Sequence, residues 1–138
     1  MIFQATRTVR FADCDPAGIV FYPHYMVMLN TLVEQWFDEG LHLPYAHLIG
    51  QQRMGLPTVR LEVDFTAPSR HGDVLTQQLS LRRLGRSSLG LRIGFSGGTE
   101  LRLRALQVLV CTGLDNHRPR PLPDGLRAAM APYLETDS

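Results

Sequence analysis

The stretch from Pro23 to Gly40 places the strongest limit on the fold. Tyr25, Leu29, Leu32, Val33 and Trp36 recur at three- and four-residue intervals, and Met26, Met28 and Phe37 widen the stripe. This spacing predicts one long helix that is apolar over a wide arc and largely buried. Pro23 suits its first turn, because its φ is preset and it has no N–H to leave unpaired. Gly40 is a stop signal. A helix of this kind needs cover, and the rest of the chain has the period-two pattern of strands. Phe3, Ala5, Val9 and Phe11 alternate with polar residues, Arg7 being the exception on the apolar face. Val59 to Phe65, Leu75 to Leu81, Leu89 to Phe95 and Leu101 to Cys111 predict four more strands. Pro68–Asp73, Gly85–Ser87 and Ser96–Thr99 read as turns between them. Short helices are expected near Tyr45–Ile49 and from Asp124 to Leu134. The order is strand, long helix, then four strands. One curved antiparallel sheet wrapped around the helix satisfies it. At 138 residues, with no repeat or linker, the chain is expected to be a single domain over residues 1–138.

Between the first strand and the helix lies Asp13-Cys14-Asp15-Pro16-Ala17-Gly18-Ile19-Val20-Phe21-Tyr22-Pro23-His24-Tyr25. Two carboxylates thus precede a helix N-terminus, which offers unpaired N–H groups and partial positive charge. Such groups can hold a developing oxyanion while a carboxylate attacks or activates water. This stretch is the candidate active site.

Composition removes several alternatives. All 14 basic residues are Arg. Without Lys there is no Schiff base, no lysine-dependent phosphate loop and no pyridoxal phosphate anchor. The absence of Lys and the antiparallel pattern also weigh against reading Asp13-x-Asp15 as a magnesium phosphotransferase. A net charge of +1 makes no general case for nucleic acid or membrane as a partner. No apolar run approaches the ~18 residues a membrane helix requires. Cys14 and Cys111 have neither metal-ligand nor C-x-x-C spacing, and a reduced, cytoplasmic protein is expected.

The stretch from Asp13 to Pro23 resembles the signature of the 4-hydroxybenzoyl-CoA thioesterase family, with Asp, Gly, Tyr and Pro at the matching offsets. The resemblance implies an α+β hotdog fold, a five-stranded antiparallel sheet wrapped around one central helix. It also implies hydrolysis of an acyl-CoA to free acid and CoA, with no further cofactor. Asp15 would be the catalytic carboxylate, as nucleophile or general base. Tyr22 would offer its backbone N–H to the thioester carbonyl, and Gly18 would let the loop pass close to the substrate. Asn30 and Leu56 stand at acyl-site positions where the hydroxybenzoyl branch has Asp and Thr. Arg86-Ser87 resembles the turn that meets the nucleotide end of CoA, and Arg118 and Arg120 resemble the basic segment with the same role. Leu84 and Gly85 replace residues that are basic in that branch. A homodimer or homotetramer is implied, with the site at a subunit boundary.

Other polar residues have plainer readings. Asp13 is expected to be structural, Cys14 a small buried residue, and His24 part of the first helical turn. Glu34 reads as a rim or contact residue, with a helix carboxylate in catalysis as the alternative. The rival functions are a hotdog hydratase or dehydratase, with His24 as its base, and a non-catalytic acyl-CoA-binding module.

Overall fold

The computed structural model describes residues 1–136; the last two residues of the expected domain lie outside the described residues. Among the described residues, seven strands and three α-helices follow in the order β1 (Phe3–Thr8), α1 (Tyr22–Gln35), α2 (Tyr45–Gly50), β2 (Met54–Gly55), β3 (Thr58–Phe65), β4 (Val74–Leu84), β5 (Ser88–Gly97), β6 (Glu100–Val110), β7 (Thr112–Gly113) and α3 (Asp124–Met130). Five of the strands form one antiparallel sheet in the order β1-β4-β5-β6-β3. The short strands β2 and β7 pair separately.

The sheet's inner face closes on α1. Leu75, Leu79, Leu89, Leu91, Phe95 and Leu103 are buried there against Met28, Leu29 and Leu32 of the helix. Fully burying one such side chain contributes about 1.5–3 kcal/mol, so this face dominates the stability. Tyr25 near the head of α1 packs at a tilt against Phe65 of β3 and Phe95 of β5, with centroids 5.7 and 6.3 Å away. Those contacts set where the helix begins relative to the sheet. No helix among the described residues is long and apolar enough to cross a membrane.

Three details differ from the sequence expectations. The alternation of the first strand does not extend to Phe11. The strand ends at Thr8, a 3-10 turn spans Phe11–Asp13, and Phe11 is 77% exposed. Cys14 is half-buried, not buried. The helix stops at Gly40 for a different reason than a left-handed cap. Its last turn widens into a π-helix over Trp36–Gly40, and Gly40 is absent from the residues with positive φ. A Cβ on Gly40 would sit 2.8 Å from the Trp36 ring, 3.0 Å from Phe3 and 3.1 Å from the Tyr133 hydroxyl. Glycine is needed here for close packing.

Among the described residues β3 is an edge strand, paired only to β6. Val59, Leu61 and Phe65 on it are exposed.

Candidate active site

The Asp15 loop is a tight hairpin. The Asp15 N–H donates to Ile19 O at 2.9 Å, and the Gly18 N–H donates to Asp15 O at 2.9 Å. Pro16 and Ala17 occupy the bend, and Gly18 follows at φ +79°. That left-handed conformation is what demands glycine, since nothing lies within 4 Å of where its Cβ would be. Asp15 Oδ1 accepts the Ala17 N–H at 2.9 Å, while Oδ2 has no partner among the described residues. The Val20 N–H donates to Ser69 O and the His71 N–H to Gly18 O, so the β3–β4 turn backs the loop.

Asp13 fastens this loop to the helix. Its carbonyl accepts the Phe21 N–H at 2.9 Å. Its carboxylate accepts from Arg10 N–H at 2.9 Å and from Arg7 Nη2 at 3.2 Å, and lies 3.8 Å from His24 Nδ1. Asp13 is buried. The structural reading of Asp13 therefore has a full set of contacts behind it, and Arg7 faces inward to serve it. His24 lies in the first turn of α1, as expected. The helix starts at Tyr22, with Phe21 as its cap and Pro23 second. The Tyr22 N–H donates to no backbone carbonyl among the described residues. Tyr22 is 64% exposed, and its ring meets Phe65 edge-on. Burial, then the Asp13 and Asp15 charges, push the Cys14 thiol up, which opposes a thiolate nucleophile at this loop.

A cavity of 390 Å³ opens beside the same helix further along. Asn30 and Glu34 of α1, Tyr45 of α2, Leu56 and Thr58 before and on β3, and Gln107 of β6 border it. The structure thus brings Asn30 and Leu56 together, and adds four polar neighbours, Glu34, Tyr45, Thr58 and Gln107. Gln107 could have been noticed as the one amide within the apolar run Ala105–Cys111. Nothing local distinguishes Thr58 or Tyr45. Neither Asp15 nor Tyr22 borders this cavity. A larger hollow of 490 Å³ lies on the sheet's outer face, between Gln78, Arg92 and Arg104. No predicted site residue borders it. Its arginines are already paired, Arg104 with Asp64 at 3.0 Å and Arg92 with Glu135 at 2.7 Å.

The turn at Arg86 and the segment from Arg118 to Leu122 are brought together. The Cys111 N–H donates to Ser87 O at 2.6 Å, the Arg120 N–H to Cys111 O at 2.9 Å, and the Leu122 N–H to Arg86 O at 2.9 Å. Arg127 braces the turn by donating to Gly85 O and Arg86 O. Among the described residues, Arg86, Arg118 and Arg120 form no ion pair with a carboxylate. The cluster connects to the cavity at the end of β6: the Val110 N–H, next to Cys111, donates at 3.1 Å to the carbonyl of Pro57, which borders the cavity.

The model of the thioesterase-like superfamily matches residues 9–130. The 4-hydroxybenzoyl-CoA thioesterase of Pseudomonas sp. (strain CBS-3) is 28% identical over 122 residues, covering 84% of this chain and 86% of that protein. A 1,4-dihydroxy-2-naphthoyl-CoA thioesterase from Synechocystis superposes with a TM-score of 0.86 at 28% identity, covering 95% of this chain and 96% of its own. A gentisyl-coenzyme A thioesterase superposes with a TM-score of 0.83 at 28% identity, over 94% and 99%. Sheet, helix and loop together define a hotdog protein of the thioesterase type. The chain belongs to the thioesterase-like superfamily, the group that contains the 4-hydroxybenzoyl-CoA thioesterases it resembles.

Proposed function

We propose that this chain hydrolyses an acyl-CoA thioester to a free acid and CoA. One observation supports it above the rest: the Asp15 carboxylate, with one oxygen unengaged, sits on a loop fastened by Asp13 to a helix head whose Tyr22 N–H has no carbonyl partner. In this reading the thioester carbonyl accepts the Tyr22 N–H, and the helix end stabilises the oxyanion as it forms. Asp15 acts by one of two routes. As general base it takes a proton from water as the water oxygen bonds to the carbonyl carbon. The tetrahedral intermediate then expels the CoA thiolate, which picks up a proton. As nucleophile its own oxygen bonds to that carbon, the C–S bond breaks, and water hydrolyses the resulting anhydride to regenerate the carboxylate. Neither route calls for a metal or redox cofactor.

The Asn30–Leu56 cavity would hold the acyl group, aromatic or of short to medium length. The names of the relatives favour an aromatic acyl. Arg86, Ser87, Arg118 and Arg120 would hold the nucleotide end through charge-assisted hydrogen bonds. Asp15 borders neither of the two cavities described above, and β3 leaves an unpaired edge among the described residues, with Val59, Leu61 and Phe65 exposed. Both features favour a homodimer, or two dimers as a homotetramer, with the site at the subunit boundary. Light scattering at micromolar protein tests this; a monomeric mass would remove it.

Hydration of an acyl thioester is the second reading. It has in its favour only the 3.8 Å approach of His24 to Asp13. Release of free thiol from a panel of acyl-CoAs separates the two. Thiol release supports hydrolysis, and a change in the acyl chain without thiol release supports hydration. Binding with neither product would make the chain a carrier or sensor.

A further inference from the structure

Arg102 on β6 buries a charge where stability alone does not call for one. Its side chain is 13% exposed, whereas Arg60, Arg92 and Arg104, which also pair with carboxylates, are each more than half exposed. Taking an ion pair out of water costs enough that apolar residues of similar volume often stabilise a fold as well. The surroundings are nevertheless built to keep this one. Arg102 Nη1 donates to Asp73 Oδ2 at 2.7 Å and to Pro68 O at 3.1 Å. A Cβ on Gly97 of β5 would sit 2.7 Å from the Arg102 Cζ and closer still to Nη2, so glycine there leaves room for the guanidinium. The Arg102 carbonyl accepts the Thr66 N–H at 3.0 Å and the Ala67 N–H at 3.3 Å.

These bonds grip the turn Pro68–Asp73 at its first and last residues. Within it the Asp73 carboxylate also accepts the Arg70 N–H at 2.9 Å. The same turn carries the Asp15 loop. Ser69 O accepts the Val20 N–H at 2.9 Å, the His71 N–H donates to Gly18 O at 3.1 Å, and Arg70 stands opposite Ile19. Ile19 O in turn accepts the Asp15 N–H. Asp15 is therefore suspended between two supports. One runs from the helix head through Asp13, and the other runs from Arg102 through the turn.

The geometry points to Arg102 as a positioning residue for the proposed hydrolysis: by clamping both ends of the Pro68–Asp73 turn, it fixes the Asp15 carboxylate relative to the helix N-terminus. This rests on the thioesterase reading and extends it to a residue far from the loop in sequence. The test compares Arg102→Met, which keeps the stem and removes the donors, with Gly97→Ala, which crowds the guanidinium off its partners. Arg92→Met, an exposed arginine on β5, is the control. The measurements are kcat and KM on the best substrate of an acyl-CoA panel, and amide hydrogen exchange at Val20 and His71. Arg102→Met should lower kcat by about tenfold or more, because a slightly misplaced reacting group is costly. KM should stay within about twofold, since binding is not what is lost. The Val20 and His71 amides should exchange at least about tenfold faster, while those of Leu91 and Ile93 on β5 keep their protection. Gly97→Ala should shift both readings in the same direction, and Arg92→Met neither. A merely structural role would speed exchange throughout the sheet and leave kcat per folded molecule unchanged. Unchanged kcat in Arg102→Met and Gly97→Ala, or a lowered kcat with Val20 and His71 as protected as in the wild type, overturns the proposal. Should Arg102→Met not fold, Gly97→Ala decides by the same two readings. If the wild type hydrolyses acyl-CoA and Asp15→Asn does not, an unaffected pair of variants removes only the role of Arg102. If the wild type releases CoA from no acyl-CoA, the thioesterase reading falls and takes this proposal with it.

Discussion

The Asp13 carbonyl accepts the Phe21 N–H at 2.9 Å, closing the Asp15 hairpin onto the first turn of α1. The bond couples two elements that the proposed chemistry needs in fixed relation, a carboxylate and a helix N-terminus. Asp13 is held in turn by Arg7 and by the Arg10 N–H. The two aspartates of the loop therefore divide the work, and substitution should separate them.

Asp15→Asn keeps nearly the same shape and retains an oxygen for the Ala17 N–H. It should fold and bind acyl-CoA near the wild-type affinity, while kcat falls by about 10²–10⁴ if Asp15 is a general base. Asp13→Ala should act on stability instead. It leaves a half-buried Arg7 and the Arg10 N–H without their acceptor, at a cost of about 1–3 kcal/mol. Denaturant midpoints and turnover, measured on both variants, give the comparison. Loss of turnover in Asp13→Ala alone would reverse the assignment.

The arginine cluster should show itself in KM. Replacing Arg86, Arg118 or Arg120 by Ala is expected to raise KM by about two- to fivefold, the scale of an exposed charge contact. The change in kcat should be smaller, because uniform binding is what is lost. Added salt should weaken the wild type more than the variants. Three unchanged KM values would place the nucleotide end elsewhere.

Gly40 and Gly50 offer a paired test of packing. An Ala at position 40 would meet Trp36, Phe3 and the Tyr133 hydroxyl at 2.8–3.1 Å. Overpacking of this sort typically costs about 1–3 kcal/mol. At Gly50, the last residue of α2, nothing lies within 4 Å of a Cβ and φ is not positive. Ala there should be neutral or stabilise by up to about 1 kcal/mol through the unfolded chain. Urea melts of the two variants should shift in these unequal ways. Equal shifts would contradict the packing account.

Asp73 should contribute to acid sensitivity. It accepts from Arg102 Nη1 at 2.7 Å and from the Arg70 N–H at 2.9 Å. These bonds, with the Arg102 side chain first, hold its carboxyl below the usual carboxylate value against the opposing effect of burial. The charged form is the one favoured by folding. Its contribution is therefore fully present above the unfolded pKa of about 3.9 and is lost as pH falls through the lower folded value. Asp73→Asn should lower stability at neutral pH and flatten the acid limb below about pH 4. A variant with an equally steep limb would assign the sensitivity to other carboxylates, Glu135 beside Arg92 being the next.

The parts of this protein that could be read in advance are local in the chain. The three- and four-residue stripe from Tyr25 to Trp36 and the alternation along Leu89–Phe95 report which side of each element meets the core, because side-chain direction follows directly from backbone period. The Asp15 loop was legible for the same reason, its Pro, Gly and two aspartates lying close together in the chain, while its closure as a hairpin was not. Phe11 shows where local pattern fails. Its alternation continued, but the Asp13 carboxylate and the Arg10 N–H favoured a 3-10 turn, and the ring was left in solvent.

By itself the sequence determined the helix, the strands and the loop that joins the first two. Only the tertiary structure decided which distant residues share a cavity. Asn30, Leu56 and Gln107 meet there because β3 pairs with β6 and the sheet closes on α1. The Arg86 turn lies beside the Arg120 segment because the Cys111 backbone bonds to Ser87 and to Arg120, and the Leu122 N–H to Arg86. The physical reason is that these juxtapositions depend on strand order and sheet curvature. Those are settled by how apolar faces from the whole chain bury one another, and no short window of sequence contains that information.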